Sequence, residues 1–326
     1  ILRTIFRRTR IDKRHLCVPY STAYDWVPIP PRELDDVAAN ESRGPTTAER
    51  MALYAEHAGP LAVRSAESAV KSAKISPSAI SHLISVSCTG FEAPGVDVQL
   101  IDRLGLPGTV ERVHVGFMGC HGAINAMRVA LGLTAADRNA NVLLVATELC
   151  SLHFCFSWEP ERLVGNALFA DGSAAMVCKA SSEECDHENK WRVAATGSRL
   201  FDNSRDAITW RVGDFGFEMS LSSEVPELIK TNLRPWLEGW LSKHGLSVSE
   251  IGSWAIHPGG PRIVDAVEDS LDLSPEATQV SREILQTHGN MSSPTVLFIL
   301  QQLQRDESKL PCVALGFGPG LVAEVA

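Results

Sequence analysis

Short apolar runs alternate with amphipathic stretches over most of this chain, and this alternation is what most constrains its fold. Residues 141–149 form one such run, of the length and character expected for a strand buried on both faces. Similar strand signals lie at 82–88, 111–117, 172–179, 191–200, 251–257 and 312–315. Stretches at 47–74 and 225–243 carry apolar residues at helical spacing. The pattern predicts an α/β protein whose strands are covered by helices.

The charged segment 181–190 is the loop-like joint between two sets of these elements. We place a domain boundary there, which gives halves of 1–185 and 186–326. In both halves a strand leads through a glycine-rich turn with a reactive residue into a helix, a parallel that suggests duplicated α/β halves. The Pro-rich polar stretch 19–45 is predicted to be loop.

Composition limits the classes of function. The 326 residues are 44% hydrophobic and 21% charged, which is enough apolar material for a large core. The net charge of −9 argues against nucleic-acid binding, and the absence of a run of eighteen apolar residues argues against a membrane span. The eight cysteines show no metal-ligand spacing, so we expect reduced thiols, no metal site and a cytoplasmic protein.

Cys120 is the first candidate for chemistry. A strand signal ends just before it, and Ala123, Met127 and Ala130 follow at helical spacing, which places it at a helix N-terminus. Backbone N–H groups and the helix dipole stabilise a thiolate at such a position. A small cysteine packed inside a helix would give the same local pattern.

His257 and Asn290 occupy comparable junctions in the second half. His257 ends an apolar run, and a Pro-Gly-Gly-Pro turn opens the following helix, so the imidazole is well placed for a cleft. Asn290 lies just before a predicted helix start at Ser292-Ser-Pro294. A capping or core histidine and a turn-forming asparagine are the alternative interpretations.

Taken in chain order, a series of segments resembles the type III polyketide synthases, the chalcone-synthase-like enzymes of the thiolase fold. They are Arg10-Ile-Asp-Lys-Arg-His15, Thr89-Gly-Phe-Glu-Ala-Pro-Gly95, Gly119-Cys120, Leu163-Val-Gly-Asn-Ala-Leu-Phe-Ala-Asp-Gly172, His257-Pro-Gly-Gly-Pro261, Gly289-Asn-Met-Ser-Ser293 and Gly316-Phe-Gly-Pro-Gly-Leu321. Each is weak alone, but their order and the Cys–His–Asn spacing form a strong signal over nearly the whole chain. The segment Glu148-Leu-Cys-Ser-Leu-His-Phe154 resembles bacterial and fungal members more than plant ones. The resemblance implies a thiolase-like α/β fold, with two duplicated halves in a layered αβαβα arrangement.

The resemblance also assigns residues to the reaction. It makes Cys120 the nucleophile, with His257 and Asn290 completing a catalytic triad. Two positions match gatekeepers of the cavity, and several others depart from the plant pattern, which puts a chalcone product in doubt. The implied substrate-binding residues are Phe169, Met219, Trp210, Cys88, Cys150, His153, Ser292 and Arg8.

The chemistry that the resemblance implies uses CoA thioesters as substrates. Cys120 takes a starter from an acyl-CoA, and malonyl-CoA is decarboxylated and condensed onto it repeatedly, giving an aromatic or pyrone product. We expect a His257 imidazolium to lower the pKa of Cys120, and His257 and Asn290 to stabilise the enolate. No metal or redox cofactor, nucleic acid or membrane is expected, and a homodimer is. The basic run at residues 3–14, with Arg8, would hold the CoA phosphates or form a solvated face.

Three alternatives accompany this interpretation. A ketoacyl-carrier-protein synthase III shares the fold and triad type but condenses once, and the segments at 257–261 and 316–321 favour the polyketide branch over it. A papain-like cysteine protease also orders Cys, His and Asn, but its Cys-Gly-Ser-Cys-Trp context is absent. A catalytically silent binding protein on the same fold would not need all three triad residue types.

Overall fold

Residues 2–18, 44–155, 160–180 and 191–326 are described by the computed structural model. The predicted boundary at 181–190, with Cys185, and almost all of the predicted 19–45 loop lie outside the described residues. The boundary therefore stays a prediction. Within the described ranges, no helix is both long enough and apolar enough to cross a bilayer.

A four-stranded sheet lies in the first half. Its strands are β1 (His82–Ser87), β2 (Glu111–Gly116), β3 (Asn141–Leu149) and β4 (Asp171–Lys179). In the order β2-β1-β3-β4, strand β1 runs parallel to both of its neighbours, and β4 runs antiparallel to β3. Apart from its first residue, β3 is buried throughout, as expected for a strand covered on both faces.

The second half repeats part of this topology. Strands β5 (Gly197–Leu200), β8 (Ser253–Ile256), β9 (Cys312–Gly318) and β10 (Val322–Val325) form a sheet in the order β5-β10-β9-β8. Strand β8 is parallel to β9, and β9 is antiparallel to β10, just as β1 is parallel to β3 and β3 antiparallel to β4. The shared topology agrees with two duplicated halves.

A hairpin of β6 (Ile208–Gly213) and β7 (Gly216–Leu221) stands apart from both sheets. The sequence analysis did not predict it. Thr47 holds its turn: the Thr47 hydroxyl accepts from Gly216 N at 2.9 Å, and Thr47 N donates to Asp214 O at 2.8 Å. The hairpin is therefore anchored to the start of a long helix rather than to a sheet.

Helices cover both sheets and fill the space between them. They are α1 (Leu2–Arg8), α2 (Thr47–Ser72), α3 (Val96–Leu104), α4 (Gly122–Ala136), α5 (Pro160–Leu168), α6 (Val225–Ser242), α7 (Pro261–Leu271), α8 (Gln279–His288) and α9 (Pro294–Arg305). One buried cluster joins α4 and α9 to strands of both sheets, for example Met127 and Val296 to Ile84 and Ala314. Helices α2 and α3 pack on the outer face of the first sheet, and α6 and α7 on the outer face of the second. The predicted αβαβα layering is confirmed.

The observed bounds differ from the predicted ones mainly at loop edges. The helix expected at 47–74 runs from Thr47 to Ser72 and starts with a capping box formed by Thr46 and Glu49. The strand expected at 191–200 is confined to its last four residues. Strand β9 continues past the predicted 312–315 because its extra residues pair with β10.

Candidate active site

Cys120 lies in a tight turn between β2 and α4. Phe117 and Gly119 have positive φ angles of 57° and 79° and turn the chain toward Gly122, where α4 starts. A side chain at Gly119 would overlap Pro319, so glycine lets the glycine-rich loop touch this turn. Cys120 keeps part of its surface accessible. The thiol therefore stands at a helix N-terminus, as the local pattern predicted.

Asn290 and Ser292 reach this thiol from the second half. Both side chains hydrogen-bond the Cys120 thiol. The Asn290 backbone accepts from Ala170 N at 2.9 Å and donates to Leu168 O at 2.9 Å, and its Oδ1 accepts from Ser292 N at 2.8 Å. Ser292 has a φ of 59°, which few residues with a side chain adopt. Backbone pairing thus fixes the amide, and a strained turn fixes the hydroxyl.

His257 directly follows β8 and is 1% exposed. Its backbone N–H donates to Leu315 O of β9 at 2.8 Å. Neither ring nitrogen has a hydrogen-bond partner in the part of the chain that the structure describes. The ring interacts electrostatically with His121, the neighbour of Cys120, and nearby Gly259 O lies 3.5 Å from Asn290 Nδ2. Asn290 thus links the turn that holds Cys120 to the turn that follows His257.

Burial acts against the expected imidazolium–thiolate pair at this site. Burial raises the pKa of the Cys120 thiol to about 11, although the hydrogen bonds from Ser292 and Asn290 lower it. Burial also lowers the pKa of His257 to about 3. In both cases the cost of burying the charged form opposes the stabilisation that a helix N-terminus and hydrogen bonds provide. The lowering of the thiol pKa by a His257 imidazolium stays a prediction.

Glu148 is a fully buried acid that the sequence analysis did not assign to the site. Its carboxyl accepts hydrogen bonds from Ser293 Oγ at 2.5 Å, Thr89 Oγ1 at 2.7 Å and Cys88 N at 2.9 Å. Burial raises its pKa, and these hydrogen bonds oppose that effect. The available signal was an acid inside the apolar run 141–149. Glu148 joins the ends of β1 and β3 to the turn before α9.

Cys88 and Cys150 are buried thiols near this carboxyl group. Cys88 Sγ lies 3.4 Å from Glu148 Oε1 and 3.5 Å from Ser292 Oγ. Burial first, and then the negative charge of Glu148, raise the pKa of both thiols. The Ser292 hydroxyl interacts with both Cys88 and Cys120.

The β6–β7 hairpin lies against this region. Trp210 and Met219 are paired in register across it, so their side chains share a face. Trp210 Nε1 donates to Cys88 O at 2.6 Å, and Met219 Cε packs toward Gly165 of α5. Phe169, which follows α5, forms a β-bridge with Asn290. Two residues that the resemblance assigns to the pocket are thus linked directly to neighbouring site positions: Trp210 to Cys88, and Phe169 to Asn290.

His153 uses both ring nitrogens to hold the hairpin. Its Nε2 donates to Thr89 O at 2.6 Å, and its Nδ1 accepts from Phe217 N at 3.0 Å. The ring stacks on Phe217 with centroids 4.1 Å apart and meets the edge of Trp210 at 5.5 Å. Burial lowers the pKa of His153 to about 3. The neutral His153 ring therefore links the β6–β7 hairpin to the residues that follow β1 by hydrogen bonds.

Arg8 lies on the surface, in the last turn of α1. Helix α1 packs against α5, and Arg14 fixes the following segment by donating to Ala167 O at 3.1 Å. The exposed cations beside Arg8 are Arg3, Arg7, Arg10 and Lys13. They form a basic surface next to the helix that leads into Phe169, outside the buried site.

Comparison with known proteins shows the family to which this chain is similar. Residues 33–182 match the family described as chalcone and stilbene synthases, N-terminal domain, and residues 192–326 match its C-terminal domain. The α-pyrone synthesis polyketide synthase-like Pks18 of Mycobacterium tuberculosis is 35% identical over 98% of this chain and 80% of its own length.

Solved structures agree with the sequence matches. PKS-I from the brown alga Ectocarpus siliculosus superposes with a TM-score of 0.91, at 32% identity, over 99% of this chain and 87% of that one. The C-terminal type III polyketide synthase domain of Steely1, a type I/III hybrid from Dictyostelium, superposes with a TM-score of 0.87 at 28% identity, with the same coverage of 99% and 87%. These matches favour the polyketide interpretation over a ketoacyl-carrier-protein synthase III and over a papain-like protease. The chain belongs to the chalcone and stilbene synthase family of type III polyketide synthases, acyltransferases that carry out decarboxylative Claisen condensation.

Proposed function

We propose that Cys120, His257 and Asn290 are the catalytic residues of this synthase. The enzyme loads a starter acyl group on Cys120, decarboxylates malonyl-CoA and condenses repeatedly to a poly-β-keto chain. One observation carries the proposal: the Asn290 side chain contacts both the Cys120 thiol at a helix start and the turn after His257, whose buried ring nitrogens have no partner in the described residues. The chain then cyclises to an aromatic or pyrone product, and a relative named for α-pyrone synthesis supports this range.

Loading starts from a neutral thiol and a neutral imidazole. His257 accepts the proton of Cys120 as the sulfur attacks the thioester carbonyl of the starter. The carbonyl carbon forms a bond to the Cys120 sulfur and breaks its bond to the CoA sulfur, which leaves with the proton held by His257. The lowered pKa of His257 suits this step, because an imidazolium could not accept the thiol proton.

Extension needs a carbanion, which malonyl-CoA supplies by losing CO₂. The electron pair left behind becomes an enolate, whose oxygen would accept hydrogen bonds from the Asn290 amide and from an N–H of His257. The contact of Asn290 Nδ2 with Gly259 O is long, at 3.5 Å, so this contact does not prevent the amide from turning to the substrate. Each such donor contributes roughly 3–4 kcal/mol. The enolate carbon then bonds to the acyl carbonyl carbon, whose bond to the Cys120 sulfur breaks, and a β-ketoacyl-CoA results. For the next cycle the Cys120 sulfur attacks this new thioester, and the CoA sulfur leaves and takes a proton from solvent.

The pocket around the thiol would exclude water and set the shape of the product. Phe169 and Met219 are proposed to narrow the entry, and Trp210 to close the wall beside Cys88, to which its indole is bonded. Apolar walls protect reactive poly-β-keto chains from hydrolysis. The remaining proposed pocket residues are Cys150, His153 and Ser292.

The exposed basic surface of α1 and the segment after it is proposed to bind the phosphates of CoA, with Arg8 at its centre. Its support is position, because α1 packs against α5, the helix that ends at Leu168 just before Phe169. Five exposed cations, Arg3, Arg7, Arg8, Arg10 and Lys13, supply the positive charge that phosphates need.

A homodimer is also proposed. Strand β2 is the edge strand of the first sheet, with most of its residues exposed. Exposed apolar side chains lie on and near it, namely Phe91 at 55%, Met118 at 39%, Phe117 at 38% and Val113 at 37%. Open edges and apolar patches of this kind mark protein interfaces. Sedimentation equilibrium tests the assignment, and a monomer at micromolar concentration would reject it.

The proposed reaction consists of proton transfer, acyl transfer and decarboxylation, so we propose no metal or redox cofactor. The cysteines among the described residues are free thiols. We also propose a cytoplasmic location.

The nucleophile assignment is tested with Cys120→Ala and a radiolabelled starter CoA. The variant should form no covalent acyl-enzyme, whereas Cys312→Ala, which removes another free thiol, should label like wild type. Persistent labelling of Cys120→Ala would reject the assignment.

The decarboxylation assignment is tested with Asn290→Ala and carboxyl-labelled malonyl-CoA. Loss of one enolate donor should lower CO₂ release by about 10²–10³-fold while starter loading persists. Unchanged CO₂ release would remove Asn290 from this role. Mass spectrometry of products from malonyl-CoA with a panel of starters identifies the product.

A further inference from the structure

Arg14 is a half-buried arginine whose contacts the proposed function does not use. Its Nε and Nη2 both donate to the carbonyl oxygen of Ala167, at 3.1 Å and 2.5 Å. Nη2 also donates to Thr9 Oγ1 at 3.2 Å, and the guanidinium carbon lies 5.0 Å from the centre of the Phe6 ring. Ala167 is fully buried, in the last turn of α5. The guanidinium is therefore held at the end of this helix.

Arg14 and His15 together replace a hydrogen bond that would continue α5. In a longer helix, the carbonyl of Ala167 would accept from the N–H of Asp171, four residues further on. Instead the Asp171 N–H donates to His15 O at 2.8 Å, and Ala167 O accepts from the Arg14 side chain. A cation is a favourable partner for the last carbonyls of a helix. The exchange lets the chain leave α5 and enter β4 at Asp171.

The residues between α5 and β4 pair with the turn that carries Asn290. Ala170 N donates to Asn290 O, and Asn290 N donates to Leu168 O, both at 2.9 Å. Arg14 also reaches this turn, since a Cβ on Gly289 would lie only 3.4 Å from Arg14 Cγ. Gly289 has a φ of 78° and directly precedes Asn290. One side chain therefore holds both partners of this backbone pairing, the first through its guanidinium and the second through its apolar stem.

We propose that Arg14 is a positioning residue for decarboxylation, which fixes the backbone of Asn290 by holding Ala167 O and Gly289. The inference rests on the proposed function, in which the Asn290 amide donates to the enolate oxygen. Misplacement of a reacting group by about 1 Å can lower a rate by about 10²-fold, so the placement of this amide matters for the rate. Loading of the starter uses the Cys120 sulfur and the His257 imidazole, and it should depend less on Arg14.

The rate of CO₂ release from malonyl-CoA tests this in Arg14→Met, which keeps an apolar stem against Gly289 but has no donor for Ala167 O. The kcat should fall by about 10-fold to 10²-fold. The KM for malonyl-CoA should stay within about twofold of wild type, and covalent loading of the starter should persist. Arg305→Met, which removes an exposed arginine from the last turn of α9, should change neither constant. An unchanged kcat, or a raised KM alone as expected for a ligand of the CoA phosphates, would overturn the inference.

A double-mutant cycle with Asn290→Ala separates positioning from general damage to the fold. Because Arg14 is proposed to act through Asn290, Arg14→Met should not lower CO₂ release further in the Asn290→Ala variant. Equal fold-losses in both backgrounds would overturn the inference. If Arg14→Met does not fold, Arg14→Lys, which keeps the charge but not the planar pair of donors, completes the same cycle by the same criterion, with a smaller loss expected.

The cycle also distinguishes this inference from the proposed function. Unchanged CO₂ release in Asn290→Ala alone would reject the role proposed for Asn290, and the inference with it. A loss in Asn290→Ala to which Arg14→Met adds its own full loss would reject the role of Arg14 and leave that of Asn290 standing.

Discussion

Acid should destabilise this protein through histidines that are neutral in the fold, and His153 allows the effect to be isolated. Burial lowers its pKa to about 3, against 6.5 for the ordinary side chain. Between these two values the unfolded chain binds a proton that the folded chain does not, so stability falls as the pH decreases from 6.5. From pH 7 to pH 5 the loss is about 2 kcal/mol for this one residue.

His153→Phe removes the titration but keeps a ring stacked on Phe217. The change leaves Thr89 O and Phe217 N without their partners, which costs about 1–3 kcal/mol for each group at pH 7. At pH 5 the wild type has lost about 2 kcal/mol that the variant has not. The stability deficit of the variant should therefore be smaller at pH 5 than at pH 7 by that amount.

Urea unfolding at pH 5, 6 and 7 measures the deficit as a difference between free energies of unfolding. Titration of Glu148 and Asp171, whose pKa values are also shifted by burial, is common to both proteins and cancels in the difference. His244→Phe, at an exposed histidine, serves as the control variant. A His153→Phe deficit of the same size at pH 5 and pH 7 would refute the neutral, buried assignment.

Three further changes follow from contacts of the site. Gly318→Ala should destabilise the fold by about 1–3 kcal/mol, because the new Cβ would lie 2.5 Å from His121 Nε2. Combining Gly318→Ala with His121→Ala should restore part of the lost stability, as measured by thermal unfolding. If the stability losses of the two substitutions simply add, the contact between residues 318 and 121 is contradicted. Glu148→Gln should speed alkylation of Cys120 by iodoacetamide at pH 8, because the carboxylate raises the pKa of that thiol; slower alkylation would speak against this charge effect. Trp210→Gly should change the starter length or the number of extensions seen by mass spectrometry, and an identical product profile would remove Trp210 from the pocket wall.

Local sequence patterns predicted the elements that carry the site better than the chemistry within it. The strand–turn–helix pattern around Cys120 placed the thiol correctly, because a buried strand and a helix start each leave a periodic signal. The buried strands at 82–88 and 141–149 were found for the same reason. The β6–β7 hairpin was missed, since it is held by side chains of α2 that are distant in the sequence.

The charge states of the site residues could not be predicted from the sequence. A cysteine at a helix N-terminus near a histidine is expected to ionise, and only the depth of both groups in the fold opposes that expectation. Glu148 was not predicted to belong to the site, because an acid in a strand is recognisable as buried only when its hydrogen-bond partners are known. Those partners, Thr89 and Ser293, come from 59 and 145 residues away.

The two halves of the fold contribute equivalent positions to the site. Cys120 and Ser292 each precede a middle-layer helix by two residues, since α4 starts at Gly122 and α9 at Pro294. Cys88 and His257 each directly follow the strand that runs parallel to β3 or to β9. Because β1-β3-β4 and β8-β9-β10 share one topology, equivalent turns from the two halves meet at the same place. Divergence of the residues at those turns leaves the proposed nucleophilic thiol in one half and the proposed proton acceptor and amide donor in the other, so the proposed chemistry needs both halves.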